Sequence, residues 1–166
     1  MSSREWNKID PAERVIVEKY LDDLPIRLGA MAKELGVKVK LSSLPSNLSG
    51  LIRQLEGGEY EIKINRHESR GRQRFTLAHE ISHFLLHRDI IDNSENGIQD
   101  NVLYRSGQPK NIEYEANRLA ADLVMPRAKL DDKVLQLNSN ISEDAIEYLA
   151  HEFGVSKAAM EIRVSN

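Results

Sequence analysis

At 166 residues the chain is long enough for one sizeable core, or one core with a small appendage, and too short for two full enzyme domains. A formal net charge of −3 gives no global attraction to nucleic acid or anionic membranes, and no apolar run approaches the roughly 18 residues a spanning helix needs. Zero cysteines exclude disulfides and thiolate ligands, and the first residues carry no apolar leader; the chain is expected in the cytoplasm, with any metal site built from His and carboxylate.

Asp10 before Pro11 has the form of an N-cap with proline in the first turn, opening a helix to about Leu21 that Pro25 interrupts. A second helix is expected from Ile26 to Leu35, ended by Gly36 at a left-handed position. Val37, Val39 and Leu41 alternate with Lys38 and Lys40 as in a half-buried strand, and residues 48–56 form a second, less regular one. Gly57-Gly58 then turns into Tyr60, Ile62 and Ile64, which alternate with Glu59, Glu61 and Lys63. A helix follows over about 71–87. Residues 88–110 read as a loop, long enough to be a candidate cover over a site. Another helix spans about 111–125 and ends at Pro126, and two short C-terminal helices, Ser142 to Phe153 and after Ser156, are separated by Gly154. The expected class is α+β: a small, three-stranded, largely antiparallel sheet packed on several helices over 1–130, with a short helical extension over 131–166 packed on it.

The chemistry concentrates in His79-Glu80-Ile81-Ser82-His83. On a helix, residues four apart are separated by about 40° in azimuth and roughly 6 Å along the axis, so both imidazoles can converge on one ion. Two neutral imidazoles suit zinc, and Glu80 lies at the edge of that face, where it can take a proton from a water held at the ion without itself being a ligand. A catalytic zinc needs three protein ligands and an open position. Candidates for the third donor include His67, His87, His151 and many carboxylates. His87 lies four residues beyond His83, but three ligands stacked along one straight helix cannot all reach a single ion. A neighbouring helix is favoured, and the 113–126 segment carries Glu113 and Glu115 near its start; spacing alone does not choose between them.

The stretches RFTLAHEISHFLLHR (74–88) and EYEANRLAADLVMP (113–126), with NLSGLIR and GGEYEIKIN before them, resemble the ImmA/IrrE-type metallo-endopeptidases. The resemblance implies a minimal zincin-like domain in which His79, His83 and Glu113 hold zinc, Glu113 being the Glu three positions before the Ala of Ala-Asn. It also implies a partner: a transcriptional repressor of the helix-turn-helix type, cleaved in a phage or mobile-element setting. The resemblance is loose over the last 40 or so residues. Water attack would use Glu80 as general base, with Tyr104 and Arg105 as candidates to steady the oxyanion.

Other features admit competing readings. An extended substrate could add to the strand Glu59–Asn65, taken as an exposed edge. Arg66, Arg70, Arg72 and Arg74 crowd a helix start, where the macrodipole disfavours cations; they form either a patch for an acidic substrate face or, less favoured, a nucleic-acid phosphate, or else a solvated turn offset by Glu68. Residues 149–160 have the spacing of a helix-turn-helix, but offer only Lys157 and Arg163 as long polar readers, so direct nucleic-acid binding is not expected. The rival to an endopeptidase is a zinc-stabilised interaction or DNA-binding module without turnover; the presence of Glu80 favours the enzyme.

Overall fold

A computed structural model describes residues 2–101 and 110–166. After a 3-10 turn at Arg4–Lys8, Asp10 caps α1 (Pro11–Glu18) by accepting from the Ala12 N–H at 3.0 Å. α2 (Leu28–Glu34) ends at Gly36, which has the left-handed φ of 88°. The strands β1 (Val37–Ser42), β2 (Leu48–Gln54) and β3 (Tyr60–Asn65) follow, then α3 (Arg70–Leu86), whose N-cap Ser69 accepts from the Arg72 N–H. The motif helix therefore begins at Arg70, one residue before the expected start.

The segment beyond α3 departs from expectation. Residues 88–110 are not simply a loop: α4 (Arg88–Asp92) and a fourth strand, β4 (Ile98–Asn101), lie within it. The sheet order is β1-β3-β2-β4, with β1 parallel to β3 and the other pairs antiparallel, so it has four strands and is mixed. β3 is thus interior, flanked by β1 and β2, and cannot receive an extended substrate as an edge. It resembles an edge strand in sequence because it carries charged residues, of which Glu61, 3% exposed, is satisfied internally by ion pairs with Arg53 directly opposite on β2 at 2.9 Å and with Lys40 on β1 at 3.2 Å. β4 reaches β2 through Gly97. With φ of 70°, Gly97 lies so near β2 that an added Cβ would stand 1.9 Å from the Ile52 carbonyl oxygen.

Further along the chain lie α5 (Lys110–Val124), α6 (Arg127–Gln136), α7 (Glu143–Phe153) and α8 (Lys157–Ser165). α6 was not expected; Pro126 ends α5 but also stands at the N-cap of the next helix. One buried cluster joins Ile52, Ile62 and Ile64 of the sheet, Ala78 and Ile81 of α3, Leu119 and Leu123 of α5, and Leu149, Phe153 and Met160 of the C-terminal helices. Arg74 ties the C-terminal end to this body: its guanidinium donates to the carbonyls of Ile26 at 2.8 Å and Gly154 at 3.2 Å. That arginine is structural. Arg72 lies 3.4 Å from Ser49 Oγ and 4.0 Å from Glu68. No helix among the described residues is long and apolar enough to cross a membrane.

Candidate metal centre

The second half of α3 is enclosed on nearly every side, with His79 through Leu85 all buried. Burial of a histidine pair on such a helix is costly unless each nitrogen finds a partner. His79 and His83 turn toward each other, Nε2 to Nε2 at 3.1 Å, with rings near-perpendicular at 84°. α5 packs against α3, and both bury small residues, Ala78 on α3 and Ala116 and Ala120 on α5, which permits close approach. Glu113, 4% exposed, enters from α5: its Oε2 stands 3.1 Å from His79 Nε2 and its Oε1 3.2 Å from His83 Nε2. The second contact lacks hydrogen-bond geometry, and Glu113 Oε1 has no hydrogen-bond partner among the described residues.

This spacing can be tested against an ion. Ligands about 2.0–2.1 Å from a tetrahedral zinc stand roughly 3.3 Å from one another. The three separations of 3.1, 3.1 and 3.2 Å match that edge, and one carboxylate with two imidazoles is the donor set of a catalytic rather than a structural site. The residues fit zinc. Burial lowers the His83 pKa to about 4, so this ring is neutral at pH 7, as a ligand must be. Burial alone would raise the Glu113 carboxyl, but the contacts from His79 and His83 outweigh it and hold the group well below its usual range.

Glu80 lies beside this triplet, its Oε1 4.0 Å from His79 Nε2. It is fully buried, and neither carboxyl oxygen has a hydrogen-bond partner among the described residues. Burial first, then the charges of Asp100 and Glu113, push its pKa well above the ordinary carboxylate value. A carboxylate so placed is destabilising for the fold, a mark of a functional group, and it stands where a general base would act.

An outer set of contacts holds the imidazoles. His79 Nδ1 lies 2.8 Å from Asn117 Oδ1, and His83 Nδ1 lies 2.9 Å from His87 Nδ1. His87 Nε2 reaches Glu115 Oε1 at 3.2 Å, and Glu115 Oε2 pairs with Lys8 Nζ at 2.5 Å. Glu113 and Glu115 are therefore both used, on different sides of the histidines. Asp100, on β4, brings a carboxylate oxygen within 4.8 Å of the donors of His79 and Glu113. Sequence reasoning missed Asp100, and nothing in Ile98–Asn101 marks it. Asn117 was findable, since it follows Glu113 by four residues on one helix. His67 lies elsewhere, with Nε2 2.8 Å from Ser43 Oγ, and His151 is exposed on α7. Tyr104 and Arg105 fall outside the described residues.

The helix-turn-helix resemblance loses its readers: Lys157 pairs with Glu143 and Glu147, and Arg163 donates to Asp122 Oδ1 at 2.9 Å and to the Met125 carbonyl.

An HExxH helix crossed by a Glu-bearing helix over a small mixed sheet defines a domain of the metallopeptidase type. The sequence model of the peptidase M78 family, IrrE N-terminal-like domain, matches residues 32–165, and the chain belongs to that family. Comparison with curated protein sequences finds no match. Among solved structures, a Mycobacterium tuberculosis transcriptional regulator is similar in fold, with a TM-score of 0.59 at 17% identity. The similarity covers 97% of this chain and 48% of that one, so the chain spans about half the length of that protein.

Proposed function

We propose that the chain is a zinc-dependent endopeptidase that cleaves a helix-turn-helix transcriptional repressor. The observation that carries the reaction is Glu80, fully buried, without hydrogen-bond partners among the described residues, and adjacent to a three-donor centre. Zinc, when bound by His79, His83 and Glu113, supplies a Lewis acid that polarises the scissile carbonyl and brings a water's pKa down to roughly 7. Glu80 takes the proton from the attacking water and delivers it to the leaving amine, its raised pKa suiting it to both steps. Asn117 keeps His79 oriented through Nδ1.

The substrate lies in extended form along β4. Only one side of β4 is paired among the described residues, and the strand carries Asp100 beside the donors. The repressor as substrate rests on family membership, and a protein of similar fold is a transcriptional regulator. Incubation of the purified chain with the repressor encoded beside it should give two discrete fragments, and a chelator should suppress them. Absence of cleavage by zinc-loaded protein would refute the proposed substrate.

A further inference from the structure

We infer that His87 and Glu115 are positioning residues, which with Lys8 form a relay that fixes the tautomer and ring orientation of His83, so that its Nε2 is presented to the centre as a bare lone pair. The inference rests on the zinc-endopeptidase reading and concerns how its ligand set is made competent.

The direction of each hydrogen bond follows from one end. Glu115 is a carboxylate paired with Lys8 and can only accept, so the hydrogen at 3.2 Å belongs to His87 Nε2. In the relay His87 carries its one ring hydrogen on Nε2 and presents Nδ1 as an acceptor. His83 Nδ1 lies 2.9 Å from it, and two nitrogens at that distance share one hydrogen, which is therefore carried by His83. The remaining nitrogen of His83, Nε2, is left without one, 3.2 Å from Glu113 and 3.1 Å from His79. Reversing the relay would put hydrogen on His83 Nε2, aimed into the centre, where it would block an ion.

Local backbone makes the relay possible. His87 is the residue at which α3 ends, with φ −129° and ψ 35°, so its ring is free of the helical direction and tilts 51° to His83. Both its nitrogens are occupied, which is why it is not itself a ligand. His79 receives the corresponding support from Asn117 on the same helix as Glu115. Lys8 lies outside the matched family segment, so the outermost member belongs to this chain's own N-terminal turn.

The test uses the full chain and zinc alone, at one pH. Zinc affinity by chelator competition is measured for the unaltered protein, His87→Phe, Glu115→Ala and the double variant. His87→Phe should weaken binding about 10–100-fold, and Glu115→Ala should weaken it less, with no further effect in the His87→Phe background. Long-range proton–nitrogen spectra of the metal-free chain should show His83 carrying hydrogen on Nδ1 and His87 on Nε2. These five-histidine spectra also serve if His87→Phe fails to fold, because Glu115→Ala should then mix the tautomers of His87 and His83. Affinity within about twofold of the parent in folded His87→Phe, additive single effects, or hydrogen on His83 Nε2 in the unaltered chain would overturn the relay alone. Failure of the unaltered chain to bind zinc would overturn the enzyme reading with it.

Discussion

Replacing Glu80 by Gln changes one oxygen to an amide nitrogen and removes the base while keeping shape. Proton transfer by a placed carboxylate contributes about 10²–10⁴ in rate, or roughly 3–5 kcal/mol of barrier, so cleavage should fall by that factor with zinc content unchanged. Stability should respond in the opposite sense. The Glu80 carboxyl is pushed well above its ordinary value of 4.5 by burial and by Asp100 and Glu113, so the folded state favours its protonated form. That contribution is fully present below about pH 4.5 and is lost as pH rises through the raised pKa. Gln has no such loss, so in metal-free protein the stability of Glu80→Gln relative to parent should climb from pH 4 to pH 8. The assays are cleavage followed by mass spectrometry at measured zinc content, and denaturant titrations across that range. Cleavage within tenfold of parent refutes the base assignment; a stability difference flat with pH refutes the burial argument.

Asp100→Asn removes a like charge that raises Glu80, so the acid limb of the rate–pH profile should move to lower pH; an unmoved limb would show that Asp100 does not act on Glu80. Gly97→Ala forces a Cβ 1.9 Å from the Ile52 carbonyl at positive φ, and should cost at least about 2 kcal/mol, read as a melting temperature lower by about 4–8 °C; a shift under 1 °C would contradict the close approach. Arg74→Ala breaks charged hydrogen bonds to Ile26 and Gly154 and should cost about 1.5–3 kcal/mol by denaturant titration while zinc affinity stays within about twofold; a large affinity change would place Arg74 in the site.

The parts of the fold legible in the sequence were those whose local chemistry agrees with their tertiary role. Asp10 and Ser142 cap the helices they precede, and β1 alternates because one of its faces is wet. The pair His79 and His83 was legible because helical spacing alone brings their rings together. β4 was not: Ile98-Gln99-Asp100-Asn101 has neither alternation nor β-branched richness, and its strand state comes from pairing with β2. The interior position of β3 was hidden because cross-strand pairs let a charged residue sit in the middle of a sheet. α6 was hidden because its face is thin, with Leu130 its buried residue, so tertiary contact rather than pattern marks it. Spacing could not choose between Glu113 and Glu115, since residues two apart on a helix point to different neighbours and each found one.

Donors mounted on two rods already locked together by an apolar interior have a kinetic consequence. Organising them is complete once the chain has folded, so capture and release of an ion would involve only exchange at a ready-made seat, unlike small zinc modules that assemble around their ion.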